Sequence, residues 1–297
     1  MYTVLKKIIE RETDYIFEIL FADNGSTDSS VDIMKSISNN DKQVKLVINQ
    51  TNFGPERSSI NLWRHASGDA IIGLPCDFQD PPEMIHDFIR HWEDGYEIVL
   101  GQKLSSKENP IKYACRKAFY SIIKAFSEHN EIEQIDGFGL YDKRVYEQLL
   151  ITAGQDPYYN VRNLVAEYGY NIKLLPYEQA ARQKGKSSYN IYSYFVFAIT
   201  SLCNTSVKPL HFMTIVGTLC SLGSVFVAIF YLVYKLMHWQ SFSVGMAPMV
   251  IGLFFLSGVQ LFCLGILGEY VSILIRRVTN KPIVIEKELV NFDEENK

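Results

Sequence analysis

From Gly68 to Glu83 the chain runs through a short apolar stretch, Ala70 to Leu74, then Asp77, Gln79 and Asp80, then the pair Pro81-Pro82 and Glu83. The apolar stretch is too short for a helix and reads as a buried strand, delivering two carboxylates and an amide to a sheet edge. The prolines stop the strand and, with Glu83, open a helix, so the acidic group sits in a fixed strand-to-helix corner. Oxygen ligands held this way suit a hard divalent cation that keeps waters and shares phosphate oxygens with a substrate, which makes Asp77 and Gln79 candidate metal ligands. The plainer alternative is a solvated acidic loop with a helix cap. A second polar cluster, Asp23-Asn24-Gly25-Ser26-Thr27-Asp28, ends another apolar run. A glycine-centred basic loop, Arg182-Gln183-Lys184-Gly185-Lys186-Ser187, precedes the aromatic-rich stretch from Tyr192 to Phe197. Cations of that kind near a bilayer attract phosphate, whether a substrate's or that of anionic headgroups.

The elements that must carry these groups alternate in type. Val4, Leu5, Ile8 and Ile9 recur at helical spacing within Tyr2 to Arg11, and Glu18 to Ala22 is a short strand; Ile33, Met34 and Ile37 mark the next helix. Val44 to Ile48 is a strand, Glu56 to Ala66 a helix, Met84 to Trp92 a helix and Glu97 to Leu100 a strand. Such alternation predicts an α/β domain with a doubly wound, mostly parallel sheet, whose ligand crevice lies beyond the carboxyl ends of its strands. Asp23 and Asp77 would both face that crevice. Ile111 to Phe126 reads as an amphipathic helix carrying Lys112, Arg116, Lys117 and Lys124, most of which serve a solvated face. Ile135 to Asp142 reads as a strand with close-approach glycines.

Charge disappears toward the end of the chain. Phe212 to Tyr234 carries no charged residue, and as a helix that run is about 34 Å long, enough to cross a bilayer. A second uncharged run, Leu236 to Gly268, places another span near Gly245 to Ile275, with Glu269 near one end. Buried core helices are the alternative. The predicted organisation is a domain over 1–189, a juxtamembrane segment over 190–209, spans over 210–235 and 245–275, and a tail over 276–297. Lys208 precedes the first span and Arg276, Arg277 and Lys281 follow the second, whereas the connection offers Lys235 and His238. Both chain ends are therefore expected in the cytoplasm, at the cytoplasmic membrane. No basic-then-apolar stretch with a cleavage site opens the sequence, so export of the first domain is not expected. The five cysteines have no metal-ligand spacing and are expected as free thiols, and a net charge of −4 gives no reason to propose nucleic acid as a partner.

Taken together, Asp23 to Asp28, Asp77 to Glu83, Gly137-Phe138-Gly139-Leu140-Tyr141-Asp142, Arg182 to Ser187 and Gly265-Ile266-Leu267-Gly268-Glu269-Tyr270 resemble the family-2 glycosyltransferases of GT-A fold. Bacterial polyprenyl-phosphate glycosyltransferases, similar to dolichyl-phosphate mannose synthase, are the nearest in pattern. The resemblance implies inverting transfer of a sugar from a UDP- or GDP-linked donor to a polyprenyl (undecaprenyl) phosphate on the cytoplasmic face, for cell-envelope glycans, with help from Mg2+ or Mn2+. It implies that Asp23 and Asn24 bind the donor, that Asp77 binds donor and metal with Gln79 adding an amide oxygen, and that Asp77 and Asp136 are the catalytic carboxylates. Arg116 and Arg182 resemble the arginines that hold the acceptor phosphate, with Lys184, Lys186 and Ser187 as further donors. Relatives of this architecture can be tetramers, and Gly217, Gly223, Gly252, Gly258, Gly265 and Gly268 would let spans pack closely, in an oligomer or within one hairpin.

Three departures accompany the resemblance. Pro75 stands where the family's Asp-x-Asp begins, and Gly137-Phe138-Gly139-Leu140 stands where Asp-Phe-Arg-Leu is usual, with Asp136 shifted by one position. The family's first strand and its Tyr-Asn-Glu turn are not seen before Tyr2, and without that strand two interior edges, at Glu18 to Ala22 and Gly68 to Leu74, are expected to lack partners. A non-catalytic or truncated membrane homologue, which binds nucleotide-sugar or supports a partner glycosyltransferase, is the competing reading.

Overall fold

A computed structural model describes residues 1–104, 132, 134–155, 165, 168–180, 203, 207–237, 246–278 and 282–292. These fall into two compact units, the first made of the residues up to 180 and from 282 onward, the second of those from 203 to 278.

The first unit opens with α1 (Tyr2–Ile9), β1 (Ile19–Asp23), α2 (Ser30–Asn40), β2 (Val44–Asn49), α3 (Pro55–Trp63) and β3 (Ala70–Gly73). A single 3-10 turn over Pro82–Met84 leads into α4 (Ile85–Glu93) and β4 (Ile98–Lys103), followed by β5 (Ile135–Asp142), α5 (Lys143–Gln155) and β6 (Ile172–Tyr177). The strand-helix alternation expected up to β4 is present, and β5 has the bounds its glycines and alternation predict.

The sheet differs from expectation in two ways. It is two sheets, β1-β2-β7 and β3-β5-β4-β6, where β7 is Glu286–Val290. It is also not mostly parallel: β1 with β2 and β4 with β6 are parallel, but β5 is antiparallel to both β3 and β4, and β7 is antiparallel to β2. Strand direction is fixed by where a connection returns the chain. A parallel pair needs a crossover, which α2 supplies between β1 and β2, whereas β5 and β7 enter from the opposite end of the strands they pair with. Among the described residues β1 pairs with β2 alone and β3 with β5 alone, so the outer edges of these two strands, where Leu20, Ala22 and Ile72 are half-buried, have no strand against them.

Period-two alternation sorts the core onto two faces of the four-stranded sheet. Ile98, Leu100, Ile135 and Tyr141 pack with Ile60 and Trp63 of α3 and Val145 and Leu149 of α5. Val99, Phe138, Leu140 and Tyr177 pack with Ile85, Phe88 and Ile89 of α4, and Leu5 and Ile8 of α1 join them. Gly139 is where β5 meets β4 most closely: a Cβ there would lie 2.2 Å from the Val99 carbonyl oxygen, so no side chain fits. β6 carries Pro176 inside its run, a residue that weakens any strand prediction, but β6 is the edge of its sheet and proline is tolerated there.

The second unit contains α6 (Lys208–Met237) and α7 (Met246–Val278), helices of 30 and 33 residues. Their large apolar side chains are exposed, Phe226 at 72% and Leu261 at 69%. Among the described residues one stretch, Phe255–Ile275, is long and apolar enough to cross a membrane by length and composition. A cavity of 410 Å³ between α6 and α7 is lined by Phe212, Met213, Val216, Phe255, Gly258 and Phe262, among others.

Glu18 ties the starts of the strands together: it accepts hydrogen bonds from Lys45 Nζ at 2.8 Å and from the Ser67 N–H at 2.6 Å. Burial works to raise its carboxyl, but the bonds from Lys45 and Ser67 and the Lys45 charge outweigh that and hold it below the usual carboxylate range. A lowered folded value contributes stability above the ordinary glutamate range, and this is lost as pH falls through the folded value. Acid unfolding followed by circular dichroism should therefore show a stability loss below about pH 4 that is smaller in Glu18→Gln than in the unchanged protein.

Candidate active site

Asp23 is the last residue of β1 and is 3% exposed. Its carboxylate accepts the N–H groups of Gly25 at 3.1 Å and Ser26 at 3.2 Å, so the acidic group organises the loop that follows the strand. Gly25 has φ 81, and a Cβ on it would meet the Asn52 nitrogen at 2.8 Å; only glycine lets this loop lie against the one after β2. Asn24 uses both ends of its amide to hold that contact, donating to Asn52 Oδ1 at 2.9 Å and accepting from the Phe53 N–H at 2.9 Å.

Three residues separate β3 from the carboxylate turn. Asp77 Oδ1 accepts the Gln79 N–H at 3.2 Å, an Asx-type turn, and between them Phe78, 36% exposed, adopts φ 57. A left-handed conformation in a bulky residue costs about 1–2 kcal/mol and persists only where neighbours over-determine it. They do so here through the end of β6. The Gln79 carbonyl accepts the Ala180 N–H at 3.0 Å, and Gln79 Nε2 donates to the Ala180 carbonyl at 3.5 Å. Asp80, 3% exposed, accepts from Tyr177 Oη at 2.5 Å and from Gln179 Nε2 at 3.3 Å.

The expected corner is thus present, but its three polar residues have separate tasks. Asp80 turns inward and anchors the turn on β6, whereas Asp77 and Gln79 form the turn itself. Because Gln79 presents its amide nitrogen to a carbonyl, its Oε1 faces away from Ala180 and is the oxygen a cation could use. One carboxylate and one amide oxygen match the way Mg2+ or Mn2+ is bound beside phosphates, with a small protein share of the ligands. No group of three or more His, Cys, Asp and Glu side chains suited to a metal occurs among the described residues. Cys76 is a free thiol at the turn; loss of water around it, with the adjoining Asp77 charge, pushes its pKa up and leaves it protonated at neutral pH.

The family model described as glycosyl transferase family 2 matches residues 1–150, just over half of the 297. The chain belongs to glycosyl transferase family 2. Over 285 residues this glycosyltransferase is 27% identical to the "Uncharacterized glycosyltransferase YkcC" of Bacillus subtilis (strain 168), covering 96% of this chain and 87% of that one. It is 27% identical over 274 residues to the "SfII prophage-derived bactoprenol glucosyl transferase" of Shigella flexneri, covering 92% and 88%. Among solved structures, the mannosyltransferase PcManGT from Pyrobaculum calidifontis, in complex with GDP-Man and Mn2+, is similar at a TM-score of 0.41 and 14% identity, covering 93% of this chain and 84% of that one.

In this glycosyltransferase, Asp136 is the second residue of β5, and its side chain lies outside the described residues, as do Arg116, Arg182, Lys184, Lys186 and Ser187. Tyr177 and Ala180 carry the turn yet escape sequence reasoning, which stops at the basic loop beginning at Arg182; the short apolar run Ile172–Tyr177 just before them was the available signal. Replacing Tyr177 with Phe removes a hydrogen bond to a buried carboxylate. It should cost about 1.5–3 kcal/mol, measured by thermal or denaturant unfolding of the purified protein.

Proposed function

We propose that this glycosyltransferase moves a sugar, with inversion, from a UDP- or GDP-linked donor to a polyprenyl (undecaprenyl) phosphate at the cytoplasmic face of a membrane, in the making of cell-envelope glycans. The observation that carries the reading is the double hydrogen bond between Gln79 and Ala180. It fixes the Asp77 turn to the backbone that, two residues later, enters the basic loop Arg182 to Ser187. Oxygens for a cation at the donor diphosphate and cations for an acceptor phosphate thus issue from one tied pair of segments.

The first unit is the catalytic domain, of GT-A type, and α6 and α7 form a two-span hairpin. The Phe255–Ile275 stretch, the apolar cavity between the two helices and the bactoprenol glucosyl transferase among the relatives support a lipid acceptor whose tail lies along them. The Asp23 loop, with Asn24 holding its partner loop, receives the donor's nucleoside part. Asp77 and Gln79 would hold Mg2+ or Mn2+, which when bound neutralises the charge growing on the leaving diphosphate. A phosphate monoester acceptor is already ionised, so Arg116, Arg182, Lys184, Lys186 and Ser187 act by positioning it against the sugar, with Asp136 the remaining candidate carboxylate. The chain can also assemble as a homo-tetramer through its glycine-bearing spans.

Membranes containing the chain, given a panel of radiolabelled nucleotide-sugars and undecaprenyl phosphate, should form a lipid-linked product that needs Mn2+ or Mg2+. Asp77→Ala should lower its rate by about a hundredfold or more. Product formed at an unchanged rate by the variant, or without any divalent cation, contradicts the assignment.

A further inference from the structure

The described chain ends inside the first unit, in a segment that sugar transfer as set out above does not use. Pro282 to Phe292 lies along β2 and α3. Ile283 and Val284 are buried in the core under α3 and α5, Arg57 Nη2 donates to the Pro282 carbonyl at 3.0 Å, and the Gln50 N–H donates to the Ile285 carbonyl at 2.9 Å. β7 then pairs with β2, and Lys35 closes on Glu288 at 2.6 Å. At the start of β7 one carboxylate oxygen, Glu286 Oε1, is 2.6 Å from both Asn61 Nδ2 and His65 Nε2. A carboxylate only accepts, so His65 carries its proton on Nε2. Asn61 is 4% exposed, and a buried amide donor without this acceptor would be left unpaired.

Asn61 sits in the last turn of α3; one turn earlier, and through the residues that lead into it, the same helix is tied to the loop beside Asp23. Ser58, 5% exposed, accepts from Asn49 Nδ2 at 3.0 Å. The same Asn49 Nδ2 reaches Asn24 Oδ1 at 3.4 Å, and that oxygen also takes the Phe53 N–H. The nine-residue helix therefore has Glu286 against its last turn, Pro282 against Arg57 nearer its start, and the Asn24–Asn52 contact just before it. A short helix moves as a rigid body, so what holds one end sets the position of the other.

We infer that Glu286 is a positioning residue for donor binding: it clamps the end of α3 and, through that helix, holds the loop pair Asn24–Ser26 and Asn52–Gly54 in its binding arrangement. This rests on the reading of the Asp23 loop as the donor site. The same carboxylate makes the strand that follows the last apolar helix a working part of the nucleotide half.

The test uses the full chain in detergent or nanodiscs, with Glu286→Ala, Glu286→Gln and the milder His65→Ala. Hydrogen exchange is read at the amides of Gly25, Ser26, Phe53 and Gly54, together with the affinity for UDP and GDP and the kcat and donor KM. Glu286→Ala should speed exchange at those amides by about tenfold and raise the nucleotide Kd and donor KM by about five- to tenfold, with kcat within about twofold. Glu286→Gln keeps the accepting oxygen and should behave as the unchanged protein, and His65→Ala should fall between. Exchange at wild-type rates in these loops, or faster exchange spread evenly over the whole first unit, overturns the inference. Faster exchange confined to the loops with unchanged nucleotide affinity instead removes the donor reading of the Asp23 loop, and leaves the mechanical tie standing.

Discussion

The close approach of β5 to β4 at Gly139 is the constraint on which the rest depends. With a side chain there, its first carbon would sit 2.2 Å from the Val99 carbonyl oxygen, and the two strands could not pair. β5 links β3 to β4, β4 links β5 to β6, and both cores lie on the two faces that these strands share. The carboxylate turn after β3 is fastened to the end of β6, two strands away from β3's own neighbour, so its geometry is inherited through β5 and β4. The two glycines of β5 have separate roles: Gly137 supplies a positive φ of 85 and Gly139 the close backbone approach, in a strand whose Phe138 and Leu140 serve the core.

Burial divides labour among the acidic residues. Asp23 and Asp80 are each 3% exposed and spend their oxygens on the protein's own donors, one on a loop and one on β6. At the turn, Asp77 takes the Gln79 N–H and Gln79 is held by Ala180, which explains why Phe78 can be kept in a costly backbone conformation: both flanks are pinned. Catalytic sites commonly store strain where the surroundings over-determine it.

Local pattern revealed much of this from sequence. Helical spacing gave α1 and α2, the proline-led starts gave α3 and α4, glycines gave β5, and the Asp-Pro-Pro-Glu corner located the turn and its first helical residues. What it missed are relations between distant segments. That Asp80 belongs to Tyr177 and not to a cation depends on β6 lying beside β4, a sheet order that no local pattern encodes. The stretch 276–297 reads in sequence only as a tail; Glu286 to Val290 becomes a strand by pairing with the edge of β2. Strand direction failed for the same reason, since periodicity is blind to which end a strand enters. Two uncharged runs were plain to see, and both form long helices, with Phe255–Ile275 meeting the length and composition of a span.

The central claim is that the Asp77–Gln79 turn is a cation site completed by a nucleoside diphosphate. Electron paramagnetic resonance of Mn2+ titrated into the purified protein, with and without UDP or GDP, tests it most directly. The account predicts that the free-Mn2+ signal falls strongly only when nucleotide is present, and that Asp77→Asn abolishes the fall while leaving the protein folded. Equal Mn2+ binding by the variant, or no nucleotide-dependent binding by the unchanged chain, would contradict it.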